Sequence, residues 1–422
     1  MTTAEGRALE ALQRLIRRSH LSRADDLPAL VSDAASHLGA DRALVHVVDY
    51  DQAMLIALTP PGGEGPTLTL GIDGTLAGRV FREVAMQVST SDGAATVWAP
   101  VVDGAERLGV LELAFPDQDR LDDDLITVCQ DFAGLVAELV ATRTLYGDFI
   151  ERARRRKPLT LPAELQWRLL PPLTFVSPPF AVSGILAPST EVAGDSFDYA
   201  VNGSVAHVAI IDAMGHGLEA TFLAALTMAA MRNARRAGLD LSGIVRLMDD
   251  EIPAVFGPDK FVTGIFGELD TVTGVWTWTT CGHPPALLVR QGRVVKALDE
   301  VIAPPLGLGL LGEPQLTDER LEPGDRILLY TDGVIEARSA SGDFFGTQRL
   351  VDFVVKESAA GRPAAETLRR LNHEILSYQE GALQDDATTV MVEWLTDEPE
   401  RSIPDLRTAR RVVSRGGSEP AG

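Results

Sequence analysis

The chain has 422 residues, 45% of them hydrophobic, more than one core normally serves, so two domains are expected. Its 60 acidic residues outweigh 38 basic ones, and the resulting charge of −22 argues against DNA, RNA or an anionic membrane as the main partner. Two cysteines, Cys129 and Cys281, lie far apart without metal-ligand spacing and fit a reducing compartment with no disulfide framework. The segment Met1 to Arg18 lacks the apolar core of a secretory signal, and no apolar run is expected to reach the length of a membrane span. A soluble cytoplasmic protein is the expectation.

Residues 7–38 place apolar positions such as Leu9, Leu12, Leu15 and Ile16 at helical spacing, with a break at Ser22-Arg-Ala-Asp25 that separates two helices. Ala43 to Val48 and Met54 to Leu58 read as strands, and Pro60 to Pro66 as a loop. Thr96 to Val102 and Arg107 to Phe115 predict a hairpin over Asp103-Gly104. Asp122 to Leu145 predicts a long amphipathic helix, on which Leu125, Ile126, Leu135 and Leu139 offer a candidate homodimer seam. The first 145 residues thus form a smaller α+β domain.

Residues 146–172 read as a helical linker. Its basic cluster, Glu151 to Lys157, is short and lacks interleaved aromatics, so a solvated helix is preferred over a nucleic-acid patch. From 173 to 396 strands dominate, with helices held apart from them. Ser204 to Ile211 is a buried strand and Leu218 to Arg236 a long helix, whose Arg232, Arg235 and Arg236 read as its solvated face. Hairpins are predicted over Asp270 to Thr273 and over Gln291-Gly292. Arg326 to Tyr330 is a further buried strand, Pro363 to Gln379 a helix and Thr388 to Trp394 a last strand. Residues 397–422 are polar, with Pro and Gly, and are expected to be disordered.

Four aspartates sit at chain reversals next to these strands: Asp195, Asp212, Asp332 and Asp385. Asp212 ends an apolar strand, and Gly215 and Gly217 follow it. Asp332 ends another and precedes Gly333, and Asp385 leads into the last strand. A strand end can offer a carboxylate and the next carbonyl as hard oxygen donors, which suit Mg²⁺ or Mn²⁺. Taken singly, each aspartate is equally a turn or cap residue.

Together the motifs resemble the stage II sporulation protein E type of metal-dependent serine/threonine phosphatase, a bacterial branch of the type 2C phosphatases. The blocks occur in order: Leu165-Gln-Trp-Arg-Leu-Leu-Pro171, Glu191-Val-Ala-Gly-Asp-Ser-Phe-Asp198, Asp212-Ala-Met-Gly-His-Gly217, Phe261-Val-Thr-Gly264, Cys281-Gly-His-Pro-Pro285, Pro304 to Leu308, Gly324 to Ala337, Phe345-Gly346 and Asp385-Asp-Ala-Thr388. The resemblance implies an α-β-β-α layered sandwich and two Mn²⁺ or Mg²⁺ ions at one end of its sheets. It makes Asp212 the shared ligand, Ala213 a carbonyl ligand, Asp195 a ligand to one ion, and Asp332 and Asp385 ligands to the other. Asp198 and Asp386 would support the ligands from behind or serve the fold. Such ions activate a water and offset phosphoryl charge, so no nucleophilic Cys or Ser is required.

Two departures from the family pattern, Ala193 and Ala213, are small residues, and Cys281 reads as a small buried hydrophobe. His216, beside the predicted metal loop, is a candidate to assist a leaving-group proton, with a turn histidine as the alternative. His283 reads as a hydrogen-bonded turn residue. By element order alone the N-terminal domain resembles a GAF-like sensor. The expected substrate is a phosphorylated protein, by resemblance an anti-sigma-factor antagonist. The competing reading is a silent scaffold that keeps the fold without the chemistry.

Overall fold

The computed structural model describes residues 4–60, 62, 67–187, 194–300, 302–380, 385–395 and 410–412. The chain divides into two compact units, Met1–Pro158 with Ile403–Gly422, and Leu159–Ser402.

The first unit comprises α1 (Ala4–Ser19), α2 (Leu27–Leu38), β1 (Arg42–Val48), β2 (Met54–Ala57), β3 (Thr69–Gly71), α3 (Leu76–Glu83), β4 (Gln87–Ser91), β5 (Ala94–Asp103), β6 (Glu106–Phe115), α4 (Asp123–Thr144) and α5 (Phe149–Arg154). Its sheet runs β4-β5-β6-β1-β2-β3. Alternation sorts the strands' two faces: Val45, Val47, Val97, Leu111 and Leu113 pack with α2 and α4, whereas Val48, Leu55 and Val110 pack with α3. The predicted hairpin turns at Gly104, which is left-handed at φ 59°. The expectation that no run is long enough for a membrane span needs correction, because α4 is long and apolar enough by composition. In the fold it serves as a core helix, with Ile126, Phe132, Val136 and Val140 buried. Asp122 caps it by accepting the Leu125 N–H at 2.8 Å.

The segment expected as one helical linker is two short helices, α5 in the first unit and α6 (Leu161–Leu169) in the second. Its basic cluster is also less solvated than expected. Arg154 donates to the Val48 carbonyl at 3.1 Å and stacks over Tyr50, while Tyr50 donates to Glu151. Arg156 lies 3.6 Å from the buried Asp49 carboxylate. The Val48 carbonyl thus gains a donor from Arg154, and Arg156 brings a positive charge near Asp49, whose Oδ1 accepts the Ala53 and Met54 N–H groups. Within 397–422 the described residues are Arg410–Val412, which pair as a short parallel strand with Gln87–Ser89 of β4. An edge strand's free N–H and C=O groups accept such an addition, so this piece departs from the expected disorder.

The second unit continues with β7 (Thr174–Ser177), β8 (Phe180–Ala187), β9 (Asp195–Asn202), β10 (Val205–Ala213), α7 (Gly217–Arg236), α8 (Leu241–Phe256), β11 (Val262–Asp270), β12 (Val275–Cys281), β13 (Ala286–Arg290), β14 (Arg293–Leu298), β15 (Ile302–Ala303), β16 (Thr317–Arg320), β17 (Arg326–Tyr330), α9 (Asp332–Ile335), α10 (Gly346–Ala359), α11 (Ala364–Tyr378) and β18 (Ala387–Trp394). One sheet is ordered β15-β12-β11-β10-β9, with β16 also on β12, and the other β14-β13-β17-β18-β8-β7. The same alternation builds the layers. Val208, Ile210, Ile265, Trp276 and Trp278 of the first sheet meet Val182, Leu288, Ile327, Leu329 and Val390 of the second. Ala209, Ile211 and Phe266 face outward onto α7 and α8, and Ile185, Leu328 and Met391 onto α10 and α11. The expected helix–sheet–sheet–helix sandwich is therefore present.

Arg232 and Arg235 correct the solvated-face reading of α7. Arg232 donates to the buried Asp198 carboxylate at 2.7 Å and to the Leu169 carbonyl at 2.7 Å, and Arg235 reaches Asp198 at 2.9 Å. A carboxylate buried in β9 cannot stay charged without such partners. Asp198→Ala, which strands both cations, is expected to cost about 3 kcal/mol in urea unfolding; a loss below about 0.5 kcal/mol would make the pairs incidental.

Candidate metal centre

Strand register brings the aspartates to one end of the sandwich. β9 and β10 run antiparallel with Asp195 directly opposite Asp212. In the second sheet, Tyr330 at the end of β17 pairs with Thr389 near the start of β18, so Asp332 and Asp385 leave the sheet at the same end. Thr331 links the two sheets. Its hydroxyl donates to Asp195 Oδ2 at 2.7 Å and accepts the Thr388 N–H at 3.1 Å.

Two glycines permit the close approach. A Cβ on Gly333 would collide with the Asp386 carbonyl, and one on Gly194 would stand 2.6 Å from the Ala213 carbonyl oxygen. The Ala213 N–H donates to the Gly194 carbonyl at 3.2 Å. Ala213 itself is buried. Residues 188–193, including the predicted motif positions Glu191 and Ala193, lie outside the described residues.

The carboxylates act on one another. Burial raises Asp195 well above the usual carboxylate range, and the charges of Asp212 and Asp386 raise it further, against the opposing Thr331 hydrogen bond. Asp212 is pushed up to about 7 by burial and then by Asp332, Asp385 and Asp386. Asp385 is raised by burial first, with Asp332 and Glu336 adding to it. No basic side chain contributes to any of these three shifts. Among the described residues no three His, Cys, Asp or Glu groups stand closely enough to hold one ion between them. The fit to a divalent cation therefore lies in donor type and uncompensated charge: hard oxygens, partly buried, repelling each other without a counter-ion.

The supporting residues also have definite partners. Asp386 Oδ2 accepts from Gln166 Nε2 at 2.6 Å and from the Gly194 N–H at 3.2 Å. Gln166 also donates to the Asp195 carbonyl at 2.9 Å, so α6 reaches two site segments through one side chain. Sequence reasoning quoted Gln166 within a motif without giving it a role; a polar residue among apolar neighbours was the available signal. Glu336, whose charge raises Asp385, likewise lay within a quoted motif without a role.

His283 is buried, with Nε2 3.1 Å from the Tyr330 carbonyl and Nδ1 3.0 Å from the Thr263 hydroxyl. A carbonyl only accepts, so Nε2 carries the proton and the ring is a neutral structural tie. Burial lowers its pKa to about 4. His216 instead is exposed, in extended conformation just before α7 and with no capping hydrogen bond from its side chain. Burial pushes the Cys281 thiol up to about 12.

A layered two-sheet domain with an acidic end is the frame these observations define, and comparison with known proteins narrows it. Residues 202–395 match the family described as Stage II sporulation protein E (SpoIIE). The second unit is thus similar to the SpoIIE family over those residues. The chain is 24% identical over 264 residues to Protein IcfG of Synechocystis sp., covering 56% of this chain and 39% of that protein. It is 22% identical over 211 residues to the phosphoserine phosphatase RsbU of Bacillus subtilis, covering 50% and 62%. In each case it spans less than two thirds of the relative's length. A crystal structure of the RsbU and RsbW domains of a Mycobacterium tuberculosis protein overlaps 53% of this chain and 63% of that one at 28% identity, with a TM-score of 0.45.

Proposed function

We propose that the second unit is a divalent-metal-dependent protein phosphatase acting on phosphoserine or phosphothreonine. The observation that carries this reading is that strand register brings Asp195, Asp212, Asp332 and Asp385 to one end of the sandwich, where no basic group offsets the raised Asp195, Asp212 and Asp385. Asp212 and the Ala213 carbonyl, with Asp195 on one side and Asp332 and Asp385 on the other, are the groups that would hold two Mn²⁺ or Mg²⁺ ions. When bound, such ions supply the Lewis acidity that activates a water toward phosphorus and offsets phosphoryl charge.

The chain's own residues fix that arrangement. Thr331 orients Asp195, and Gln166 with the Gly194 N–H orients Asp386. His216, exposed beside the metal loop, is assigned the proton for the departing seryl oxygen. Release of phosphate from a phosphoserine protein tests the reading. Release that requires Mn²⁺ or Mg²⁺ and stops with chelator supports it. Chelator-insensitive release, or a folded chain that never turns over, counts against it, the latter in favour of a silent scaffold.

The substrate we propose is a phosphorylated regulatory protein, with an anti-sigma-factor antagonist as the class the motifs suggest. The first unit, GAF-like in its order of elements, is proposed as the sensor. The chain passes from α5, tied to β1, into α6, whose Gln166 holds two segments of the site. A signal that shifts α6 would change the site's hold on metal. Deleting residues 1–150, or Gln166→Ala, is expected to change apparent metal affinity about tenfold. Unchanged affinity and unchanged regulation in both would remove the sensor proposal.

A further inference from the structure

A chain of net charge −22 repels a phosphate dianion at long range, so a cation beside the site would help draw the substrate in. Basic side chains around the site are mostly committed. Arg232 and Arg235 neutralise the buried Asp198, and Arg338 stacks over the Phe344 ring at 4.1 Å. Lys260 differs. Its ammonium lies 2.9 Å from Glu219, a carboxylate 62% exposed. With Glu219 exposed and Lys260 half-buried the pair is weak, and its carboxylate can turn to solvent.

Lys260 is also well placed. β11 begins two residues later and pairs with β10, so that Val262 stands opposite Ala213 and Thr263 opposite Asp212. The Met214 N–H donates to the Phe261 carbonyl at 3.1 Å, which ties the residue next to Lys260 to the metal loop. The backbone there is anchored from behind, because Val262 and Leu306 exchange hydrogen bonds at 3.0 and 2.9 Å. A fixed backbone thus carries a flexible point charge beside the loop of Asp212, Ala213 and His216. Lysine, with three rotatable donors and a compact charge, changes partner more readily than arginine does.

We infer that Lys260 is a substrate-binding residue that leaves Glu219 to engage the phosphoryl group of the incoming phosphoprotein. This rests on the phosphatase reading of the site. Glu219 holds the amine beside the loop between encounters, and the dianion takes its place when substrate arrives.

The test measures two quantities in parallel on the full chain: binding of a peptide carrying a non-hydrolysable phosphonate analogue of phosphoserine, by fluorescence anisotropy with Mn²⁺ present, and KM and kcat for a phosphoserine peptide. Lys260→Ala is expected to weaken binding and raise KM about tenfold with kcat within about twofold, and Lys260→Arg to restore most of it. Glu219→Gln, which frees the amine, is expected to bind as tightly as the unmodified chain or more so. Equal weakening by Lys260→Ala and Glu219→Gln would mean that the pair merely braces the loop, and unchanged binding in Lys260→Ala would overturn the role outright. If the unmodified chain binds the phosphonate through Lys260 but hydrolyses nothing, the phosphatase reading fails and the anion site stands. If it binds no phosphonate at all, the inference fails.

Discussion

Asp212→Asn is expected to lower phosphoserine hydrolysis about a thousandfold while the protein stays folded. Asp212 is opposite Asp195 in the first sheet and feels the charges of Asp332, Asp385 and Asp386 from the second. In the proposed arrangement it is the ligand common to both ions, so its loss removes two holds at once. Asparagine keeps the shape and removes the charge. Because that charge is repelled by its neighbours, the metal-free variant should unfold no earlier than the unmodified chain. Circular dichroism melting beside a phosphate-release assay separates these effects. Loss of activity together with a collapsed melting curve would instead make Asp212 a folding residue.

Stability of the metal-free chain is expected to rise as pH falls from 8 to 6.5. Asp212 ionises near 3.8 in an unfolded chain and about 7 in the fold, and Asp195 is raised as well. Folding therefore favours the protonated groups. Their contribution is complete below the unfolded value and is lost as pH climbs through the folded value. The expected gain over this window is roughly 2–4 °C in melting temperature. Below about 6.5 the buried neutral His283, lowered to about 4, begins to oppose it, since the unfolded chain then takes up the proton. Saturating Mn²⁺ should reverse the trend, because a cation favours the ionised carboxylates and binds less well as they protonate. A metal-free melting temperature that falls steadily from pH 8 to 6.5, or the same profile in Asp212→Asn, would contradict this.

The sequence made the strand ends legible because alternation and turn chemistry agree there. Asp270 accepts the Val272 and Thr273 N–H groups in its predicted turn, and Gln291 and Gly292 both take the left-handed conformation their hairpin needs. The four aspartates stood out because each meets a glycine or a strand end. Their convergence was not readable from spacing. It depends on Thr331 of one sheet bonding Asp195 of the other, 136 residues away. Long-range partners also explain the misreadings. Arg232 and Arg235 look solvated on a helical wheel because Asp198 lies in β9, and Arg154 looks solvated because the Val48 carbonyl lies in β1. Helices α8 and α10 went unanticipated, although Ile244, Val245, Met248 and Ile252 of α8 bury one face at helical spacing.

Calorimetric titration of Mn²⁺ into the metal-free chain at about pH 7, in two buffers of different ionisation enthalpy, measures most directly whether these aspartates form a metal centre. The predicted result is saturable binding with proton release, since carboxylates raised by their neighbours must ionise to hold the ion. Asp212→Asn and Asp332→Asn should each weaken binding strongly. Absence of Mn²⁺ binding, or binding that neither substitution disturbs, would contradict the account.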